Sequence, residues 1–157
     1  PVLSANSGGA LAQSDLRAAL LTALPQISVI TPNSIELRLL AGCEDLDQAV
    51  ARLTEAGATA IWLKGGHEPG KMLINSLYVQ GQLVMRSALT RLPGEFHGSG
   101  CTLAAALAAG LAAGLSLQDA VVQSQDFVSQ ALALADRPRD DGQWLPRRIV
   151  KTWQRST

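Results

Sequence analysis

The stretch GEFHGSGCTLAAALAAGLAAG, residues 94–114, constrains this chain more than any other. A glycine-bearing turn passes directly into a long run of helix formers, and no charged residue occurs between Glu95 and Asp119. Placed after a strand, such a turn leaves backbone N–H groups without partners at a helix start. Those donors and the positive end of the helix dipole favour an anion, phosphate above all. Cys101 falls in the first turn of that helix, where the same field favours a thiolate. Two readings of GSGC at 98–101 stand side by side: an anion hole for phosphate transfer, or a glycine turn that packs a helix close to a sheet. Cys101 is correspondingly an activated base, or a small buried thiol.

A charge-free run of this length raises the question of a membrane-spanning helix. Its body, however, is Ala and Gly with Leu103, Leu107 and Leu111 as the only large apolar residues, and Pro93, Glu95 and His97 stand at its start. Ala and Gly supply little transfer energy, so the expectation is a buried helix packed on a sheet. The first residues lack the basic region and apolar core of a secretory signal. Lys+Arg and Asp+Glu balance at 13 each, which argues against a dedicated nucleic-acid or membrane-surface partner. With 157 residues, 47% of them hydrophobic, residues 1–157 are expected to belong to a single domain with one core. Cys43 and Cys101 are too far apart in sequence for a disulfide framework or zinc site, and free thiols suggest a reducing, cytoplasmic setting. The chain opens on Pro1 rather than Met, and reads as the interior or processed part of a longer protein.

Hydrophobic periodicity supplies the scaffold. Residues 1–3 resemble a strand end and 4–10 a loop. A helix from about Ser14 to Pro25 carries Leu16, Ala19, Leu20, Ala23 and Leu24 as one buried stripe. ISVIT (27–31) is a β-rich run stopped by Pro32. A short helix follows over 33–42, with Asn33 as cap, Glu36 at the third helical position and Gly42 as stop. Another helix covers roughly 45–56, a strand 58–64, and two strands 72–79 and 83–89 flank Gly81 as a hairpin or neighbours. The final helix is 116–135, and the basic residues of the tail (Arg147, Arg148, Lys151, Arg155) read as a solvated helix end. Alternating strands and helices predict an α/β fold with a mainly parallel sheet, whose ligands bind beyond the carboxyl ends of the strands.

Three segments fall at such ends. Asn33-x-x-Glu36 is either a capping box or an oxygen-ligand pair that meets magnesium through water. KGGHEPG (64–70) places Lys64 and His67 around a tight turn; Lys64 is a phosphate contact or a solvated strand-end lysine, and His67 is at most a contributor to binding. The 98–101 turn is the third. Phosphoryl transfer needs charge neutralisation, positioning and a proton acceptor, and these residues together make a minimal set.

The chain resembles the carboxyl-terminal part of the hydroxymethylpyrimidine/phosphomethylpyrimidine kinases of the ribokinase-like family. The resemblance rests on PVL with its glycine loop (1–9), ITPNSIE (30–36), LKGGHE (63–68), NSLY (75–78), LPGEFHGSGCTLAAALAAGLAAG (92–114) and GQWLPRR (142–148). HGSGCTL is the sharpest of these, because most of the wider sugar-kinase group carries Asp where this subgroup carries Cys. The resemblance implies a ribokinase-like three-layer fold, here only its carboxyl-terminal part. It implies that Gly98, Ser99 and Gly100 form the anion hole and that Cys101 occupies the catalytic-base position. Asn33 and Glu36 would order magnesium and phosphate, and Lys64, with His67 nearby, would meet the nucleotide. The implied cofactors are ATP and Mg2+. The implied reaction is phosphorylation of 4-amino-5-hydroxymethyl-2-methylpyrimidine and then of its monophosphate, in thiamine biosynthesis. The expected partners are that pyrimidine and ATP, with no nucleic acid and no membrane, in a homodimer or higher homo-oligomer. Two features depart from the family pattern. Asn75 stands where many members have Asp, which fits a structural turn residue. Roughly the first hundred residues of a family enzyme, with most of the pyrimidine pocket, would precede Pro1. A pyridoxal kinase-type activity and a non-catalytic nucleotide-binding or oligomerisation module are the alternatives.

Overall fold

In the computed structural model residues 14–138 and 140–149 are described, and they divide between Arg91 and Leu92 into two units. The strand-end and loop readings for 1–10, and Lys151 and Arg155, lie outside the described residues.

The first unit begins with helix α1 (Ser14–Ala23), which tightens into a 3-10 turn at Leu24–Gln26 around Pro25. Only the end of the predicted stripe is buried: Leu24 is in the core and Leu20 packs against it, whereas Leu16 is 41% exposed. Helix α2 (Ser34–Ala41) closes on Gly42, whose φ of +62° suits a residue without a side chain. Helix α3 (Leu46–Glu55) is capped by the Asp45 carboxylate, which accepts from Gln48 N at 2.8 Å. Its Ala49, Val50 and Leu53 join Leu37, Leu40, Ile61, Leu63 and Tyr78 in one hydrophobic cluster. Strands β1 (Ala60–Leu63), β2 (Met72–Val79) and β3 (Gln82–Thr90) form an antiparallel sheet in that order. The β2–β3 hairpin turns on Gln80 and Gly81, both at positive φ (49° and 76°), the two-residue geometry whose twist matches the strands.

The mainly parallel sheet of the sequence expectation is not what the described residues build. Among the described residues of this unit, parallel contact is confined to the isolated bridges Ile30–Ile61 and Asn33–Lys64. The cause is visible in the bonding. Ile30 N donates to Ala60 O (3.0 Å) and Ile30 O accepts from Trp62 N (2.8 Å), as in a parallel ladder. Two residues on, Pro32 O accepts from Lys64 N (2.9 Å), but Pro32 has no N–H to return. The 27–31 run therefore follows the course of a strand beside β1 without forming a continuous ladder.

The described part of the second unit holds a pair of helices, α4 (Ser99–Ala112) and α5 (Leu117–Ala133), and a return segment that includes Asp136 and residues 140–149. Gly110 lets them approach closely: a Cβ built there would lie 3.1 Å from Ala120 Cβ. Ser116 caps α5, accepting from Asp119 N. The return segment is not the helix end that its basic residues suggested. It bridges Asp136 to Leu145 and Phe96 to Trp144, so it runs beside the 94–97 turn that leads into α4. No helix of the described residues is long and apolar enough to cross a membrane.

Candidate functional site

In the first unit, the Asn33–Lys64 bridge sets Asn33 and Lys64 side by side. Asn33 and Glu36 form a complete capping box. Asn33 Oδ1 accepts from Glu36 N (2.8 Å), and Glu36 Oε2 accepts from Asn33 N (2.9 Å). Both residues are buried, Glu36 to 3% exposure, so these bonds satisfy groups that water does not reach. The capping reading of the sequence holds, and it already engages one oxygen of each side chain. Among the described residues no group of three His, Cys, Asp or Glu is placed to hold a metal. This donor set fits a magnesium ion only in the mode where water and nucleotide phosphates supply most of the ligands.

Lys64 opens the loop that carries His67, and that loop is firmly tied. Arg91, which the sequence did not single out, donates from Nη1 to Gly66 O (2.7 Å), from Nη2 to Glu68 O (2.6 Å) and from Nε to Gly70 O (3.0 Å). Asn75 Oδ1 accepts from Gly65 N at 3.0 Å, and a Cβ on Gly65 would collide with Ile74 O. Asn75 thus has the structural role in the turn that its type suggested. His67 itself is exposed. Glu68 pairs with Arg38 at 2.9 Å, and the guanidinium holds its carboxyl below the ordinary carboxylate range. Ser34 Oγ makes a smaller contribution to that shift from close by, although it is buried and makes no bond of full hydrogen-bonding geometry. Ser34, Arg38, Lys64, Gly65 and Glu68 are among the residues that line an open cleft of about 430 Å³.

In the second unit, Gly98 stands at the N-cap of α4 at φ +79°, and no side chain caps the helix. The first intrahelical bond runs from Thr102 N to Gly98 O (2.9 Å), so the N–H groups of Ser99, Gly100 and Cys101 have no acceptor within the helix. Cys101 is exposed in this first turn, which removes the buried-thiol reading. The approach to the turn is braced by Trp144. Its N donates to Glu95 O (2.8 Å) and its O accepts from His97 N (2.9 Å). Gly94, at φ +98°, leaves room for the indole, and Arg137 stacks over the ring at 5.7 Å. Beyond Trp144 the chain delivers Arg148 to the turn. Its Nε donates to Thr102 Oγ1 (3.1 Å), and Thr102 Oγ1 donates in turn to Gly98 O (2.8 Å). Arg148 Nη2 would lie 2.8 Å from a Cβ on Gly98. Nothing local in the sequence marks this contact, which spans 46 residues.

Residues 1–143 match the family model described as phosphomethylpyrimidine kinase. A hydroxymethylpyrimidine/phosphomethylpyrimidine kinase of Rhizobium meliloti is 41% identical over 145 residues, covering 87% of this chain and 54% of that protein. A thiamine biosynthesis multifunctional protein of Corynebacterium efficiens is 35% identical, covering 87% of this chain and 19% of that protein. Among solved structures, the pyridoxal kinase of Staphylococcus aureus in complex with AMP-PCP and pyridoxal superposes with a TM-score of 0.76 at 27% identity, covering 84% of this chain and 52% of that one. The fold is thus that of the ribokinase-like kinases, and the chain spans about half the length of the single-function kinases it matches. On the match over residues 1–143, the chain belongs to the phosphomethylpyrimidine kinase family.

Proposed function

We propose that this chain serves the ATP-dependent phosphorylation of 4-amino-5-hydroxymethyl-2-methylpyrimidine and of its monophosphate, a step of thiamine biosynthesis. The observation that carries the proposal is the open start of α4, where three backbone donors and an exposed thiol share one helical turn. Oriented N–H groups stabilise charge on a transferring phosphoryl group without reorganising during the reaction. In this reading Ser99, Gly100 and Cys101 donate to phosphoryl oxygens, and Gly98 supplies the backbone geometry that aims them. The Cys101 sulfur accepts the proton of the substrate hydroxyl. The hydroxyl oxygen forms a bond to the γ-phosphorus as the bond to the bridging oxygen breaks, and ADP leaves. Lys64 contributes a nucleotide-phosphate contact, and His67 at most a peripheral one. Asn33 and Glu36 would meet a magnesium ion through water; the ion's chemistry is to neutralise phosphate charge.

The S. aureus neighbour favours weighing a second substrate, pyridoxal, because that kinase shares the fold and was solved with pyridoxal bound. The test compares turnover of the hydroxymethylpyrimidine and of pyridoxal with ATP and magnesium, in the natural protein and in Cys101→Ala. The expected result is faster turnover of the pyrimidine, with kcat reduced about a hundredfold or more by Cys101→Ala and ATP affinity little changed. Faster turnover of pyridoxal would move the assignment to the second substrate. Near-normal turnover in Cys101→Ala would remove Cys101 as the base. ATP binding without either activity would favour a nucleotide-binding module.

A further inference from the structure

We propose that Glu68 is a positioning residue for nucleotide binding: its ion pair with Arg38 latches the 64–70 loop to helix α2, so that Lys64 meets the nucleotide's phosphates from a fixed place beside Asn33. The inference rests on the reading of Lys64 as a phosphate contact, and it gives a role to two side chains which that reading leaves unused. Three observations carry it. First, the guanidinium is set in place independently of the loop. Arg38 Nε donates to Glu44 O at 2.9 Å, and Nη1 donates to Glu68 Oε1 at 2.9 Å, across 30 residues of chain. Second, the latch is tightly coupled to Lys64. Lys64 N donates to Pro32 O (2.9 Å), and Glu68 N donates back to Gly65 O (3.2 Å), so one turn of backbone separates the carboxylate from the lysine. Third, the remaining ties act elsewhere. Arg91 grips the carbonyls of Gly66, Glu68 and Gly70, which fixes the shape of the loop and joins it to the end of β3. The Glu68 pair joins that shape to α2, the helix whose start carries Asn33 and Glu36.

The pair is suited to orientation more than to folding. Its side chains are 27% and 37% exposed, and ion pairs open to water contribute little to stability. Arg38 holds the Glu68 carboxyl below the ordinary carboxylate range, so the latch is charged at neutral pH. A loop held in its binding position before the ligand arrives avoids the cost of ordering it on binding.

The test is calorimetric titration of the full chain with ATP, and with adenosine as a probe lacking phosphates. The proteins are the natural one, Glu68→Ala, Glu68→Gln, Arg38→Ala, the double variant Arg38→Ala/Glu68→Ala, and Lys64→Ala, with the thermal midpoint as control for folding. The expected result is about fivefold weaker ATP binding in Glu68→Ala and in Arg38→Ala, with no further loss in the double variant. Glu68→Gln, which keeps an acceptor without the charge, should fall between Glu68→Ala and the natural protein. Adenosine affinity should not change. Unchanged ATP affinity in Glu68→Ala would overturn the inference, and a loss in Lys64→Ala would then leave the phosphate role of Lys64 standing. Losses that add in the double variant would overturn it, because the two residues would be acting separately. Equal losses for ATP and adenosine would overturn it by making the pair a structural brace. Unchanged ATP affinity in Lys64→Ala would overturn the reading of Lys64 and the inference with it.

Discussion

Helices α2 and α4 begin in opposite ways. Asn33 and Glu36 close the start of α2 upon itself, each giving an oxygen to the other's backbone N–H, and both are buried. Gly98 starts α4 with no capping side chain, leaves three donors without helix partners, and exposes Cys101 in the same turn. The nearby charges differ as well. Arg38 on α2 is neutralised by Glu68, whereas Arg148 lies against the α4 start with no carboxylate in reach among the described residues. A capping box contributes stability and gives Glu36 N an acceptor, leaving two of the three first N–H groups of α2 without one inside the helix. An open helix start is held in place by its surroundings and keeps its backbone donors for an anion. The start of α4 is therefore the phosphate site we propose, while the capping box secures the start of α2.

The sharpest way to break this contrast is Gly98→Ala. A residue with a Cβ at φ +79° costs about 1–2 kcal/mol in backbone strain, and the new methyl would displace Arg148 Nη2. ATP affinity is expected to fall by about tenfold or more, because the backbone donors of the turn are disturbed. Retained affinity would mean that the turn does not hold the phosphates. Asn33→Ala probes the other helix and should act chiefly on stability. Loss of the cap is expected to cost about 1 kcal/mol in denaturant titration, with Asn33→Ser recovering most of it. An unchanged denaturation midpoint would show that the box contributes nothing to folding.

Much of this contrast is legible in the sequence. Asn33 and Glu36 stand at cap spacing, Gly42 stops the helix, and a glycine turn leading into a charge-free Ala-rich run announces an uncapped start. Each of these signals lies within a few residues of chain, where local geometry dictates the outcome. What the sequence does not reveal depends on distant partners. Arg91 ties the 66–70 loop across more than twenty residues, and Arg148 reaches Thr102 across 46. Arginines in a polar tail look solvated until the fold returns them to a neighbour. The parallel ladder fails for a different reason. Pro32 reads as the end of a strand, but its missing N–H also interrupts pairing with β1, which strand propensity in 27–31 does not show. The stripe on α1 has periodicity without burial at Leu16, because a repeating pattern does not say how far the core extends.

The central claim is that the unpaired donors of α4, and not the closed start of α2, take the phosphate. Amide hydrogen exchange with and without saturating ATP tests it most directly. The account predicts that exchange at Ser99, Gly100 and Cys101 slows by about tenfold or more when ATP binds, because these N–H groups gain acceptors that the helix does not supply. At Glu36 and Gln48, whose amides already donate to Asn33 and Asp45, exchange should change little. Unaltered exchange at residues 99–101 with ATP bound would contradict the assignment.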